Sequence, residues 1–266
     1  MRKDSPLGVT RITQDFLTPP LLSVLICGLE SRWTQTKSLF RALKIQADAL
    51  EHANGVEILY NLDGGQKTVG TKRNELLAAA QGEYSCFIDD DDRIFGDYLE
   101  LIFKALESRP DCVYITNLTT FDGSKPQLAR VLRGRPVPGV VGDICVHLCP
   151  IRRTIAASVR FDERSFGEDK AWSARVMPLL VTSTTITLPI YHYNFSYHTT
   201  ATQKHLAPGM FRPARPGGRP GVPIPLHLAP RTQRVADRPI PRAVSGCEPD
   251  EELQRAAREY YSRVRQ

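Results

Sequence analysis

Several features common in other protein classes are missing from this 266-residue chain. The longest early apolar run, Leu21–Cys27, has seven residues, where a membrane-spanning helix needs about 20. The opening stretch MRKDSPLGVTRITQDF has no apolar core of the signal-peptide kind, so no leader and a cytoplasmic location are expected. The six cysteines follow no secreted-module spacing. They are expected to be reduced, and the sequons at Asn117 and Asn194 to stay unglycosylated. No G-x-x-x-x-G-K-[ST] occurs, which excludes a Walker A loop. The acidic run lacks the spacing and terminal glutamate of an EF-hand.

What is present suits a folded domain with a distinct tail. Apolar residues make up 41% and charged residues 24%, close to globular averages. The net charge of +6 is unevenly spread: Lys204 to Arg242 holds eight Lys/Arg against one acid, Asp237. Ten of the 20 prolines fall between Pro208 and Pro249. The expected division is an N-terminal extension (1–20), one catalytic-type domain (21–204), a Pro/Arg-rich linker or disordered segment (205–247) and a charged C-terminal helix (248–266).

Along the domain, apolar runs alternate with helical stripes. Leu21–Cys27 reads as a strand covered on both faces. A helix follows with Trp33, Thr36, Leu39, Phe40, Leu43, Ala47 and Leu50 on its stripe. Val56–Tyr60 reads as a second strand ending in the turn Asn61–Gly65. Thr71 can cap a helix through Ala80, and Tyr84–Ile88 is a third strand. A helix on Tyr98, Leu101, Ile102, Ala105 and Leu106 then leads to a strand at Cys112–Thr116. This β-α-β-α-β-α-β pattern predicts an α/β fold, a mostly parallel Rossmann-like sheet with helices on both faces. Residues 120–150, rich in Gly, Pro and Arg, read as a long loop region. Val181–Leu188 and Ile190–Tyr197 are β-rich.

Ligands of such sheets bind beyond the carboxyl ends of the strands, where Asp63 and the run Asp89–Asp92 both fall. Four adjacent carboxylates repel, by about 1 kcal/mol per pair at 4 Å in water and more in a drier setting. Asp89 and Asp91 can share a direction and hold a divalent cation that bridges two phosphates. The alternative is a solvated acidic turn, with Asp90 or Asp92 capping the next helix. Gly70-Thr71-Lys72-Arg73-Asn74 opens a helix whose N-terminus and basic residues suit phosphate, or is an ordinary capped helix. Glu168 and Asp169 after Gly167 suit a general base, or simply complement a helix dipole. Cys145-Val146-His147-Leu148-Cys149 is not a usual zinc spacing, and its cysteines read better as buried small hydrophobes.

Together these pieces resemble family 2 glycosyltransferases of the GT-A fold, including a subgroup from bacteria and bacteriophages. The resemblance spans roughly residues 20–200. It rests on Ser23-Val24-Leu25-Ile26-Cys27, Leu62-Asp63-Gly64-Gly65, Arg73-Asn74, Gly82-Glu83-Tyr84, Phe87-Ile88-Asp89-Asp90-Asp91-Asp92 and Gly167-Glu168-Asp169, in that order. Two positions depart from the family pattern. The first strand continues into Gly28-Leu29-Glu30 instead of P-x-Y-N, and Leu62 stands where an aspartate is usual.

The resemblance implies an inverting, hexosyltransferase-type enzyme that uses a nucleotide-diphosphate sugar and Mn²⁺ or Mg²⁺. Asp63 would contact the base. Lys72, Arg73, Asn74, Asp89 and Asp90 would border the nucleotide sugar. Asp89 and Asp91 would hold the metal, Asp169 would deprotonate the acceptor hydroxyl, and Glu168 would orient it. His192 and His198 are candidates for an added metal ligand, His192 equally for a core histidine. The acceptor could be a glycan, lipid or protein.

The rivals are a nucleotidyltransferase, which ordinarily wants a glycine- and basic-rich loop after the first strand, and a sugar-nucleotide hydrolase. A non-enzymatic module gripping nucleic acid or another anion is the third. The tail has few aromatics among its arginines, which argues against single-strand nucleic acid. Peripheral contact of the tail with an anionic membrane surface stays open, as does a solvated linker.

Overall fold

The computed structural model describes residues 8–13, 18–50, 55–121, 124–131, 140–141 and 146–195. The expected linker and C-terminal helix, Cys145 and His198 lie outside the described residues. The early apolar run becomes the central strand. β2 (Leu22–Leu29) is buried almost throughout because it is flanked by two parallel partners, β3 (Val56–Asp63) and β4 (Tyr84–Asp89). The crossovers are α1 (Trp33–Ala49) and α2 (Val69–Ala79). α1 buries Thr36, Leu39, Phe40, Leu43 and Gln46, the helical stripe visible in the sequence.

The rest of the sheet is arranged around a second long parallel pair. After the two-residue β5 (Arg93–Ile94), α3 (Tyr98–Leu106) leads to β6 (Cys112–Phe121), so the β-α-β-α-β-α-β reading holds. β6 does not join β4 directly, because the short β9 (Ile151–Arg152) lies antiparallel between them. β10 (Ser183–Phe195) runs parallel to β6 and accepts β5 on its other side, antiparallel. β1 (Thr10–Arg11), within the expected N-terminal extension, adds an edge to β3. The strand order is β1-β3-β2-β4-β9-β6-β10-β5. The short helix α4 (Arg153–Ala156) and α5 (Glu168–Val176) complete the described part. The longest ladders are parallel, and one apolar cluster spans the sheet and its helices. Among the described residues no helix is long and apolar enough to cross a membrane.

Four local readings change. Residues 120–150 are not simply loop: β7 (Ser124–Arg130) folds back on β6, and β8 (Val140–Val141) pairs with β7. The proline there, Pro126, falls where the β6–β7 register shifts, so its missing N–H breaks no regular ladder. The two late β segments are one strand whose register shifts around Pro189 instead of ending. α2 is capped by Thr68, whose side chain accepts from the Thr71 N–H, one turn earlier than expected. Neither Asp90 nor Asp92 caps α3, whose N-cap is Asp97. The four described cysteines, Cys27, Cys86, Cys112 and Cys149, are buried, and no disulfide joins any two of them. Burial pushes the thiols of Cys27 and Cys86 up to about 11 and about 12, which keeps them protonated and inert.

A buried polar clasp fixes the amino end of the sheet, away from the aspartates. Ser23 Oγ donates to Glu57 Oε2 at 2.6 Å and accepts from the Gly82 N–H at 2.8 Å. The Gln81 N–H reaches the same carboxylate oxygen at 2.8 Å, and Arg11 pairs with Oε1 at 2.7 Å. Ser23→Ala is expected to lower stability by about 1–3 kcal/mol, because a hydrogen bond to a buried charge is lost and an amide loses its acceptor. Urea denaturation should show a lower midpoint at an unchanged slope.

Candidate active site

The four aspartates do not share one environment. β4 ends at Asp89 and the chain turns, with the Asp92 N–H on the Asp89 carbonyl at 3.1 Å. Strand alternation therefore stops, and the carboxylates divide among several partners. Asp89 Oδ1 accepts from Arg73 Nη2 at 2.9 Å. Asp90 is buried, accepting from the Leu29 N–H at 3.0 Å and from Arg32 Nη1 at 2.8 Å. Asp91, more exposed, takes the same Arg32 nitrogen at 2.9 Å. Asp92 is buried and accepts from the Tyr191 hydroxyl at 2.6 Å. Tyr191 also receives the Asp89 N–H at 3.2 Å. Much of the charge that makes the run tolerable thus comes from Arg32 and Arg73, within the chain.

That arrangement depends on a glycine. A Cβ at Gly28 would lie 2.2 Å from Asp90 Oδ2, so only glycine lets the carboxylate reach the end of β2. This explains why the first strand runs on as Cys27-Gly28-Leu29.

Arg73 is the centre of the site. It is 3% exposed, yet its guanidinium spans three elements. Nη2 meets Asp89 and approaches His147 Nε2 at 3.2 Å, while Nη1 donates to Glu168 Oε1 at 2.8 Å. The Phe87 and Phe161 rings lie 5.6 and 5.5 Å from its central carbon. Phe161 stacks in turn on Trp172 at 4.5 Å, giving the guanidinium a rigid aromatic wall. Burial pushes the Asp89 carboxyl up, but Arg73 and His147 outweigh it and hold the group well below the ordinary range. Burial and the Arg73 charge lower His147, which is therefore neutral at pH 7.

The acid pair sits at the opening of α5. Gly167 takes a left-handed φ of 71° as N-cap, which starts the helix abruptly and places Glu168 and Asp169 in its first turn. Glu168 is buried against Arg73, and burial raises its carboxyl. Asp169 is half-buried and close enough for its charge to act on Arg73, His147 and Tyr193. Tyr193 lies two residues beyond Tyr191, hence on the same face of β10. Burial first, then Asp92, Asp89, Asp91 and Asp169, drives its phenol upward. It feels the charge of both the aspartate turn and Asp169.

The remaining expected site residues have other attachments. Asp63 Oδ1 accepts from Lys72 Nζ at 2.8 Å and the Gly65 N–H at 3.2 Å, and Oδ2 from the Lys67 N–H at 2.6 Å. Lys72 is buried, and its ammonium also reaches the Gly28 carbonyl at 2.6 Å, tying β2 to β3. Asn74 clasps Phe161, donating to its carbonyl at 2.9 Å and accepting its N–H at 2.8 Å. His192 is buried and bonds Thr120 Oγ1 at 2.8 Å. Beside Asp63 opens a cavity of about 490 Å³ lined by Gly8, Val9, Thr10, Glu30, Trp33, Tyr60 and Leu62.

Sequence reasoning missed Arg32, His147, Tyr191 and Tyr193. The tyrosines had a signal in the alternation Tyr191-His192-Tyr193, which puts both on one face. His147 had a weaker one, a polar ring between residues read as buried. Arg32 had none.

A mixed α/β sheet with carboxylates and buried basic residues gathered at the carboxyl ends of parallel strands is the GT-A type of architecture expected above. The model of glycosyl transferase family 2 matches residues 46–160. No curated protein sequence matches the chain. Among solved structures, residues 1–349 of S. aureus TarS are similar with a TM-score of 0.47 at 14% identity, covering 65% of this chain and 60% of that one. The same fragment solved with UDP gives 0.46 at 15%, covering 66% and 61%, and with UDP-GlcNAc 0.45 at 14%, covering 65% and 58%. The chain thus spans less than two thirds of those fragments.

Proposed function

We propose that the protein transfers a sugar from a nucleotide-diphosphate donor to an acceptor hydroxyl with inversion. The observation that carries this reading is the gathering of the aspartate turn and the Glu168–Asp169 pair around one buried arginine, the arginine and the turn lying in the stretch 46–160 that the family 2 model matches. Transfer needs positive charge where the diphosphate leaves and a carboxylate where the hydroxyl loses its proton. The aspartate turn and the opening of α5 would supply these.

The donor set suits Mn²⁺ or Mg²⁺ by its chemistry. Burial, with Asp89 and Asp90 adding repulsion, outweighs the nearby Arg32 and pushes the Asp91 carboxyl up to about 6, and a bound cation would favour its ionised form. Among the described residues no group of three or more His, Cys, Asp or Glu side chains is placed to hold a metal. Two carboxylates, Asp91 and Asp89, with donor phosphates and water completing the shell, is the usual way Mg²⁺ is held. Such an ion would neutralise the diphosphate as the glycosidic bond breaks. Asp90, committed to Leu29 and Arg32, would brace the turn. The cavity beside Asp63, with Trp33 and Tyr60 in its wall, would take the base.

Thermal shifts with UDP, GDP, CDP and dTDP, each with and without Mn²⁺, test this. One diphosphate at 100 times its dissociation constant should stabilise the wild type by about 2.7 kcal/mol. It should do so only with Mn²⁺, and not in Asp91→Asn. The Mn²⁺-dependent part should weaken as pH falls through about 6, where Asp91 takes up a proton. Absence of any shift in a folded wild type would overturn the reading.

A further inference from the structure

We infer that Arg73 and Glu168 are positioning residues: their ion pair ties the start of α5 to the aspartate turn, so that Asp169 and Asp89 are held as one unit. This rests on the transferase reading and deepens it.

Three observations support the tie. Glu168 Oε1 and Asp89 Oδ1 are bonded by the two terminal nitrogens of a single guanidinium, at 2.8 and 2.9 Å. A planar, forked cation fixes both the distance and the angle between its partners. Second, the pair is walled off from solvent: Glu168 is 4% exposed and Arg73 3%. Phe87 and Phe161 cover the guanidinium. Glu168 therefore has no open path to an acceptor, whereas its neighbour Asp169 is half-buried at the edge of the site. Third, the hub is incompletely satisfied: Glu168 Oε2, His147 Nδ1 and Arg73 Nε are buried with no hydrogen-bond partner among the described residues. Polar groups left so are costly in a site with only a packing role. Asn74 reinforces the same junction by clasping Phe161 from the next position on α2.

The assignment separates two roles that an adjacent acid pair would otherwise confuse. A positioning carboxylate acts through its hydrogen-bond geometry, so an amide of the same shape replaces it. A proton acceptor acts through its basicity, so the amide does not.

Glu168→Gln, Glu168→Ala and Arg73→Lys should be compared with the wild type in three assays. Hydrogen exchange at the amides of residues 168–172, measured without ligand, should stay near wild type in Glu168→Gln. It should quicken at least tenfold in Glu168→Ala and Arg73→Lys. Dissociation constants for the nucleoside diphosphate identified by thermal shift should change less than threefold in Glu168→Gln and Glu168→Ala. In the transfer assay kcat should fall less than tenfold in Glu168→Gln and at least a hundredfold in Glu168→Ala, with the donor KM little changed. Equal collapse of kcat in Glu168→Gln and Glu168→Ala would make Glu168 the base and overturn the inference, as would unchanged exchange in Glu168→Ala. A wild type that binds no nucleotide would refute the transferase reading instead, and the exchange result would still decide the tie.

Discussion

Asp169→Asn should lower kcat by about 10²–10⁴-fold, the range supplied by a positioned general base, while leaving nucleotide binding intact. The side chain is half-buried in the first turn of α5, near enough for its charge to act on Tyr193 and His147. Its hydrogen bond among the described residues is short-range, with Oδ1 accepting from the Lys170 N–H at 2.7 Å. Asparagine can keep that bond through its own carbonyl, so the helix start should survive. What it cannot do is take a proton from an incoming hydroxyl. Donor KM and the diphosphate thermal shift should therefore match the wild type, and the loss should appear in kcat. Loss of nucleotide binding together with kcat would mean that Asp169 serves the donor instead.

The parts of the fold legible in the sequence were those with local causes. The apolar run through Leu22–Ile26, the stripe of α1 and the order of elements up to β6 follow from periodicity alone, because each is buried by its nearest neighbours in the chain. The insertion of β9 between β4 and β6 did not, since it hangs on three residue pairs made by a two-residue strand. The loop reading of 120–150 and the division between Val181–Leu188 and Ile190–Tyr197 fail for a related reason: Pro126 and Pro189 sit where a ladder shifts register, a fact decided by the partner strand.

Within the site, residue identity was more legible than residue attachment. The motifs picked out Asp89, Arg73 and Glu168, but nothing local says that Arg73 joins the other two, which lie 16 and 95 positions away. Likewise the acidic run announced a need for positive charge without revealing that Arg32, about 60 positions earlier, meets part of it. The helix start at Lys72 suits phosphate or an ordinary capped helix, and neither reading says where the side chain goes; in the fold its ammonium turns inward to Asp63 and the Gly28 carbonyl.

That inward turn sets the second large effect. Lys72→Met should destabilise the protein by about 3–5 kcal/mol, the usual result of removing one member of a buried ion pair. Lys72 is 2% exposed and the Asp63 side chain 13%, so water replaces little of what is lost. Two backbone N–H groups, from Gly65 and Lys67, still reach Asp63, which favours the lower end of that range. The Gly28 carbonyl also loses its donor. A second variant isolates the pair: in Lys72→Met combined with Asp63→Asn the orphaned charge is gone, and the two losses should fall short of additivity by about 0.5–3 kcal/mol. pH supplies an independent check. Burial raises the Asp63 carboxyl, but the Lys72 bond and the Lys67 and Gly65 amides outweigh it, so the group is held below its ordinary value. A depressed value contributes stability above the unfolded value, about 3.9, and loses it as pH falls through the folded one. The gap between wild type and Asp63→Asn should therefore be widest near neutrality and close in acid. A gap independent of pH would mean that Lys72 holds β2 to β3 through the Gly28 carbonyl alone.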